Sequence, residues 1–351
     1  MKELRTAVLV LIALFILSAP AESGFFVGIV DAFRDKISKM KETAYASELI
    51  SVGEYLEGLA VTPDGQYIYV ADDYNDKVYA VRAGDNAIAA TIAVGSNPEQ
   101  IAITPDGNYV YVSHSYGYNN TVSVIRVSDN TVVKTVIVGS APKGLAVSPD
   151  GKYVYTANEF SDDVSIIRTS DNSVTSTIAV DSEPQALAFS PDGAYLYVTS
   201  TYRWPGRVDI VRVSDGTIAG TVTVGEEPTG IAVTPDGQYV YAANYYSENV
   251  SVIRTSDTSV IKTIPVGDYP RVAVAPSGRY AYIASCPEDY YSSYSGTLYI
   301  VSIPGNAVVK TISFSGSPKG IAVSPDGNYV YVSAYTYSRG HIAVIRTDGY
   351  K

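Results

Sequence analysis

Apolar positions in most of this chain come in short runs that alternate with polar ones and end at turn residues. One stretch shows the pattern. Gly144-Leu145-Ala146-Val147 runs into Pro149-Asp150-Gly151, then Tyr153-Val154-Tyr155, then apolar runs within residues 164–167 and 174–180. Each run is too short for a helix and is rich in Val, Ile and Tyr, so each reads as a strand. The unit then repeats. Pro-Asp-Gly recurs at Pro63, Pro105, Pro149, Pro191, Pro235 and Pro325, and Pro-Ser-Gly stands at Pro276. Four short strands per period, seven times over, predict an all-β, seven-bladed β-propeller of four-stranded antiparallel blades.

The two ends of the pattern complement each other. The last repeat stops after its third strand, at residues 342–345. Residues 45–52 align with the fourth-strand segment that ends Val136-Ile137-Val138-Gly139. An N-terminal strand is therefore expected to complete the last blade, closing a propeller over residues 44–351 and removing an open sheet edge. Upstream the period changes. Phe25, Phe26, Ile29, Val30, Phe33, Ile37 and Met40 recur at three- and four-residue steps, which predicts a short helix over 25–42. That helix either covers part of the propeller within a linker, 22–43, or lies against a membrane surface as a peripheral contact. Further upstream, Lys2 and Arg5 precede an apolar run over 7–17, followed by Ala19-Pro20-Ala21. This is the layout of a signal peptide over 1–21, which implies a secreted or cell-surface protein. The alternative is an uncleaved anchor, although the polar break at 18–24 interrupts a span of about 20 apolar residues.

Turn chemistry supports the strand reading. Pro pre-sets the turn and Gly accepts positive φ in Pro-Asp-Gly. Asp129-Asn130, Asp171-Asn172 and Asp215-Gly216 suit the hairpins between third and fourth strands. Ala60, Ala102, Ala146, Ala188, Ala232, Ala273 and Ala322 fall on the innermost strands, where crowding at the axis favours small side chains. The stretches 142–158 and 228–244, each followed by Val-Ser-Ile-Ile or Val-Ser-Val-Ile, resemble the YVTN repeat of archaeal and bacterial surface-layer-type propellers. The resemblance covers about residues 44–351. It implies seven blades and a role as a surface or secreted protein, within a wider fold group that includes lactonases, quinoproteins and a lyase. The chain departs from that repeat where Arg82, Arg126, Arg168, Arg212, Arg254 and Arg346 stand in place of an Asp. These arginines are expected to pair with turn aspartates, such as those of Pro-Asp-Gly.

Composition narrows the partners. A formal net charge of −11, with no basic stripe, argues against nucleic acid. The lone Cys286 excludes an intramolecular disulfide and reads as a small, half-buried residue. His114 and His341, without a paired acid motif, make a poor metal site. Asp72, Asp73, Asn75 and Asp76 lack the glycine and distal glutamate of a calcium loop. No nucleophile elbow, phosphate loop or haem-attachment motif is present, so no catalytic residue, metal or cofactor is assigned.

Binding is expected on the face made by the strand-two-to-three loops and the blade-to-blade connections, because those loops vary in length. Trp204, Tyr245, Tyr290, Tyr291, Tyr294, Tyr335 and Tyr337 supply aromatic area there. A second ring stands at the start of each innermost strand: Glu57, Glu99, Lys143, Gln185, Thr229, Arg271 and Lys319. It reads as acidic over blades one and two and basic over blades six, seven and three. The expected function is an exported binding or structural module for a surface protein or glycan. The alternative is a lactonase- or lyase-like enzyme that uses the channel mouth.

Overall fold

The computed structural model describes residues 48–115, 119–201, 204–286, 295–337, 339–347 and 350. The expected signal segment, the helix over 25–42, and Tyr290, Tyr291 and Tyr294 lie outside these residues. The described residues fall within a compact unit, Tyr45–Lys351. They form seven four-stranded antiparallel sheets. Blades one to six span 56–93, 98–137, 142–179, 184–223, 228–265 and 268–315. Blade seven combines residues 317–346 with the N-terminal strand Glu48–Ser51, which pairs with Arg339–Arg346 in the register Ile50↔Ile342. The expected closure is present, and within the described residues the strand runs Glu48–Ser51.

The core lies between blades. In Tyr67–Asp72, the second strand of blade one, alternate side chains point to opposite faces. Ile68 and Val70 pack with Tyr331, Ile342 and Val344 of blade seven. Tyr69 and Ala71 pack with Ile101, Val110 and Val112 of blade two. Both faces are covered, so second strands read as nearly unbroken apolar runs. Outermost strands such as Thr131–Ile137 are exposed except for one inward residue, Val136.

The short-loop face is held by repeated local bonds. In the first Pro-Asp-Gly turn, Thr62 Oγ1 donates to Asp64 Oδ1 (2.6 Å), and the amide of Gln66 donates to the same oxygen (3.0 Å). Gly65 has φ +72°, and Pro325 of blade seven packs against it across the seam. The arginine series pairs with aspartates on this face, but with those of the strand-three-to-four hairpins. Arg82, Arg126, Arg168, Arg212 and Arg254 meet Asp85, Asp129, Asp171, Asp215 and Asp257, three residues on, at 2.5–3.1 Å. The Pro-Asp-Gly aspartates named as examples are engaged by their own turns. Arg346 instead lies 5.8 Å from the ring centre of Tyr329. Neighbouring blades are also latched at this face. Tyr69 Oη donates to Asn130 Oδ1 (2.6 Å), and Tyr111 and Tyr241 bond to Asn172 and Asn306 in the same way.

Candidate functional site

A β-bulge sits near the start of every innermost strand and builds the site. In blade three, Pro142 pairs with Asn158 and Leu145 with Thr156, so Lys143 and Gly144 together oppose one residue. The same shift occurs at 56/59, 98/101, 184/187, 228/230, 268/271 and 318/320. A bulge re-aims the side chain it carries. Here the bulged or adjoining residues are Glu57, Glu99, Lys143, Gln185, Thr229, Arg271 and Lys319, and all seven line one cavity of about 620 Å³ at the channel mouth. Gly58, Gly144 and Gly320 let the strands crowd the axis. A Cβ on Gly144 would lie 2.5 Å from the carbonyl oxygen of Gln185.

A second circle comes from residues that directly follow the second strands: Asp73, Ser115, Glu159, Thr201 and Tyr245. A third contribution comes from Glu183 and Glu227, each directly before the proline of an innermost strand and held at positive φ (55° and 47°). Glu159, Glu183 and Glu227 were missed as site residues in the sequence. The signal was their fixed place in the repeat, next to residues already singled out. With them the mouth is no longer divided into acidic and basic sectors as expected, because carboxylates occur from blade one to blade five.

The charged groups are tightly interlinked. Lys143 Nζ lies 3.6 Å from both Glu99 Oε1 and Glu159 Oε2. Glu159 also accepts from Gln185 Nε2 (2.9 Å), and Ser115 Oγ donates to Glu99. Burial pushes the Glu99 carboxyl up to about 7, with Glu57 and Glu159 acting in the same direction and Lys143 and Arg271 against it. Lys319 Nζ is 3.1 Å from Glu57 Oε1 and lies over the rings of Tyr55 (4.9 Å) and Tyr335 (5.6 Å). Burial opposes the Lys319 charge, but Glu57 and then Tyr55 outweigh it, and its pKa rises. Arg271 donates from Nε to the carbonyl of Lys319 (2.8 Å), and from Nη1 to Thr229 Oγ1 (3.1 Å) and the carbonyl of Pro270 (3.1 Å). These bonds use three of the five guanidinium donors and fix its plane.

The expected aromatic residues divide into two sets. Tyr245 lines the cavity, with its ring edge-on to Tyr269 (4.5 Å) and Tyr246 (5.2 Å). Tyr335 packs on Tyr55 (4.6 Å) beside Lys319. Trp204 and Tyr337 do not line the cavity and are 77% and 85% exposed. The two histidines are apart. His114 is fully buried against Ser123 (2.8 Å), where burial pulls its pKa down to about 4, and His341 meets the carbonyl of Ser315 (2.6 Å). Asp72 is spent on backbone amides, accepting from Glu54 and Tyr55 in the connection that enters blade one and from Asn75 in its own loop. Among the described residues, no three His, Cys, Asp or Glu side chains gather as metal ligands would. Cys286 is fully buried beside Ser317 Oγ (3.2 Å) rather than half-buried, and burial raises its thiol pKa.

Known proteins share parts of this architecture. Over 110 residues the chain is 30% identical to Antigen Lp49 of Leptospira interrogans, a match covering 29% of this chain and 24% of that protein. The chain thus spans about a quarter of that relative's length. Hydrazine synthase of Kuenenia stuttgartiensis superposes with a TM-score of 0.71 at 22% identity, over 83% of this chain and 95% of that one, a likeness of fold. The family described as "Lactonase, 7-bladed beta-propeller" matches residues 59–175 and 169–266, which together cover more than half of the chain. They contain most of blades one to five and the mouth residues from Glu99 to Glu227, and the chain belongs to this lactonase family of seven-bladed propellers.

Proposed function

We propose that the channel mouth is a hydrolytic site that opens a lactone ring with water, and that Glu99 is its general base. The carrying observation is the placement of the Glu99 carboxyl in a cavity it shares with Lys143 and Arg271, with Lys143 Nζ 3.6 Å away and Ser115 Oγ donating to it, where burial pushes its pKa up to about 7. A general base works best when its pKa is close to the working pH. In this reading ionised Glu99 takes a proton from water as the water oxygen bonds to the lactone carbonyl carbon. The two remaining donors of Arg271, on Nη2, stabilise the charge that forms on the carbonyl oxygen. The ring C–O bond then breaks, and the departing oxygen takes the proton from Glu99, leaving a hydroxy acid. Membership of the lactonase family supports this reading.

The test is a pH-stat assay of the purified protein on a panel of five- and six-membered lactones. Turnover should rise as pH passes through about 7. Glu99→Gln should lower kcat/KM by roughly 10²–10⁴-fold and abolish that rise, while the variant stays folded. Failure of the parent protein to open any lactone sinks the proposal.

A second reading is an exported binding module at the cell surface that uses the same face for a surface protein or glycan. The exposure of Trp204 and Tyr337 favours it, because large exposed aromatics are common anchors of interfaces. Trp204→Ala and Tyr337→Ala should then weaken retention on cell-wall material without touching lactone turnover.

A further inference from the structure

The charge organisation of the mouth points to a choice of substrate that the family name does not specify, and the argument rests on the mouth being the substrate site. Six carboxylates line the cavity, those of Glu57, Asp73, Glu99, Glu159, Glu183 and Glu227, against the cations Lys143, Arg271 and Lys319. The cations are already engaged inside the protein. Lys319 is paired with Glu57, Lys143 sits between Glu99 and Glu159, and Arg271 is fixed by three oxygen acceptors. The wall from blades four and five has a different character. Glu183 and Glu227 face the cavity there with Gln185, Thr201 and Thr229, and Thr201 Oγ1 reaches Glu183 Oε2 at 3.4 Å. Burial and then the charge of Glu183, on the same wall of the cavity, raise the Glu227 pKa. Beside them stands Tyr245, whose ring is braced by Tyr246 and Tyr269. A carboxylate pair with an aromatic wall, in a cavity of this size, matches the chemistry that recognises an ammonium group.

We infer that the mouth selects its substrate by charge, seating a protonated amine of a hydroxylated ring against Glu183, Glu227 and Tyr245, and turning away rings that carry a carboxylate or phosphate. Like charges in a partly desolvated cleft repel an anionic ligand, while an amine relieves the repulsion between Glu183 and Glu227.

The inference is tested by binding rather than turnover, so that it stands or falls separately from the hydrolytic reading. Three ring analogues that cannot be hydrolysed are titrated into the full protein by calorimetry. They are a hydroxylated piperidine, cationic at neutral pH; the matching lactam, neutral; and the lactam phosphate, anionic. The piperidine should bind about tenfold or more tighter than the lactam, equivalent to one modest ion pair, and the phosphate weakest of the three. Glu183→Gln and Glu227→Gln should each bring the affinity for the piperidine several-fold closer to that for the lactam, measured on the same variant. Raising the salt concentration should narrow the gap in the parent. Tightest binding of the phosphate overturns the inference. So does piperidine binding that is no tighter than lactam binding, or that is unaffected by both substitutions. Loss of lactone turnover in Glu99→Gln with the piperidine preference intact supports both readings independently.

Discussion

At the scale of single residues, the repeat tolerates change only where a neighbour changes with it. Gly139 and Gly225 lie against Asn158 and Asn244, and a Cβ on either glycine would fall 2.6–2.7 Å from the facing amide. Each amide is buried and donates to the third strand, Asn158 to Asp163 (2.6 Å) and Ser165 (2.8 Å). Blade four has Asp181 at the glycine position and the smaller Ser200 opposite, and Asp181 is anchored by Arg207 (3.1 Å) and by its own amide to Asp209 (3.0 Å). Gly139→Ala should therefore lower stability by about 1–3 kcal/mol in chemical denaturation. Adding Asn158→Ser should recover part of that loss, and independent, additive losses would refute the pairing argument. Glu99 gives a second expectation at this scale. Its carboxyl has an ordinary value of 4.5 and stands near 7 when folded, with Glu57, Glu159, Lys143 and Arg271 facing it. Between these values the folded state holds the proton more tightly than the unfolded one, so this group's contribution to stability falls as pH rises from about 4.5 to about 7 and is flat beyond. Glu99→Gln should flatten that decline in melting temperatures taken across the interval.

At the scale of elements, the strands were legible in the sequence because period-two patterning and Pro-Asp-Gly turns both depend on neighbours a few residues away. The pairing of Arg254 with Asp257 has the same local origin, yet its exact partner was misjudged. Several aspartates share that face, and only the register decides which one a guanidinium reaches. The bulges were not legible. The extra residue in each innermost strand shows only when two strands are set side by side, as Pro142 against Asn158 and Leu145 against Thr156. The ring at the mouth was found by its blade-to-blade variation, whereas Glu159, Glu183 and Glu227 hold fixed places in the repeat but are aimed at the cavity by the backbone path of the connections, which the pattern alone does not give. The latches between blades were equally hidden, since Tyr241 and Asn306 are far apart in the chain. Tyr241→Phe removes the donor to Asn306 Oδ1, and Asn306 is only 5% exposed. A loss of about 1–3 kcal/mol is expected, read from denaturant midpoints at unchanged slope. Arg254→Ala, at the water-facing end of the same kind of hairpin, should leave the midpoint where it is.

At the scale of the whole molecule, the ring is closed at one seam, and the candidate site crosses it. Ile50 and Val52 from the N-terminal segment pack with Tyr331, Ile342 and Val344 of blade seven and with Leu56, Leu59 and Val70 of blade one. Pro325 meets Gly65, and Ser333 Oγ donates to the carbonyl of Glu57 across the same boundary. The ion pair of Lys319 with Glu57 joins blade seven to blade one at the mouth, so the position of Lys319 depends on closure. Removing residues 48–52 strips one ladder from Arg339–Arg346 and uncovers the apolar seam. It should cost several kcal/mol, in the range of other large packing losses, and speed amide exchange first in blades seven and one. Ile50→Ala is the milder probe, with an expected loss of about 2–5 kcal/mol from a cavity at the same place. A deletion variant that melts like the parent and exchanges uniformly would show that the ring holds without its N-terminal strand. Faster exchange confined to the seam, together with weaker ligand binding at the mouth, would tie closure of the propeller to the site it frames.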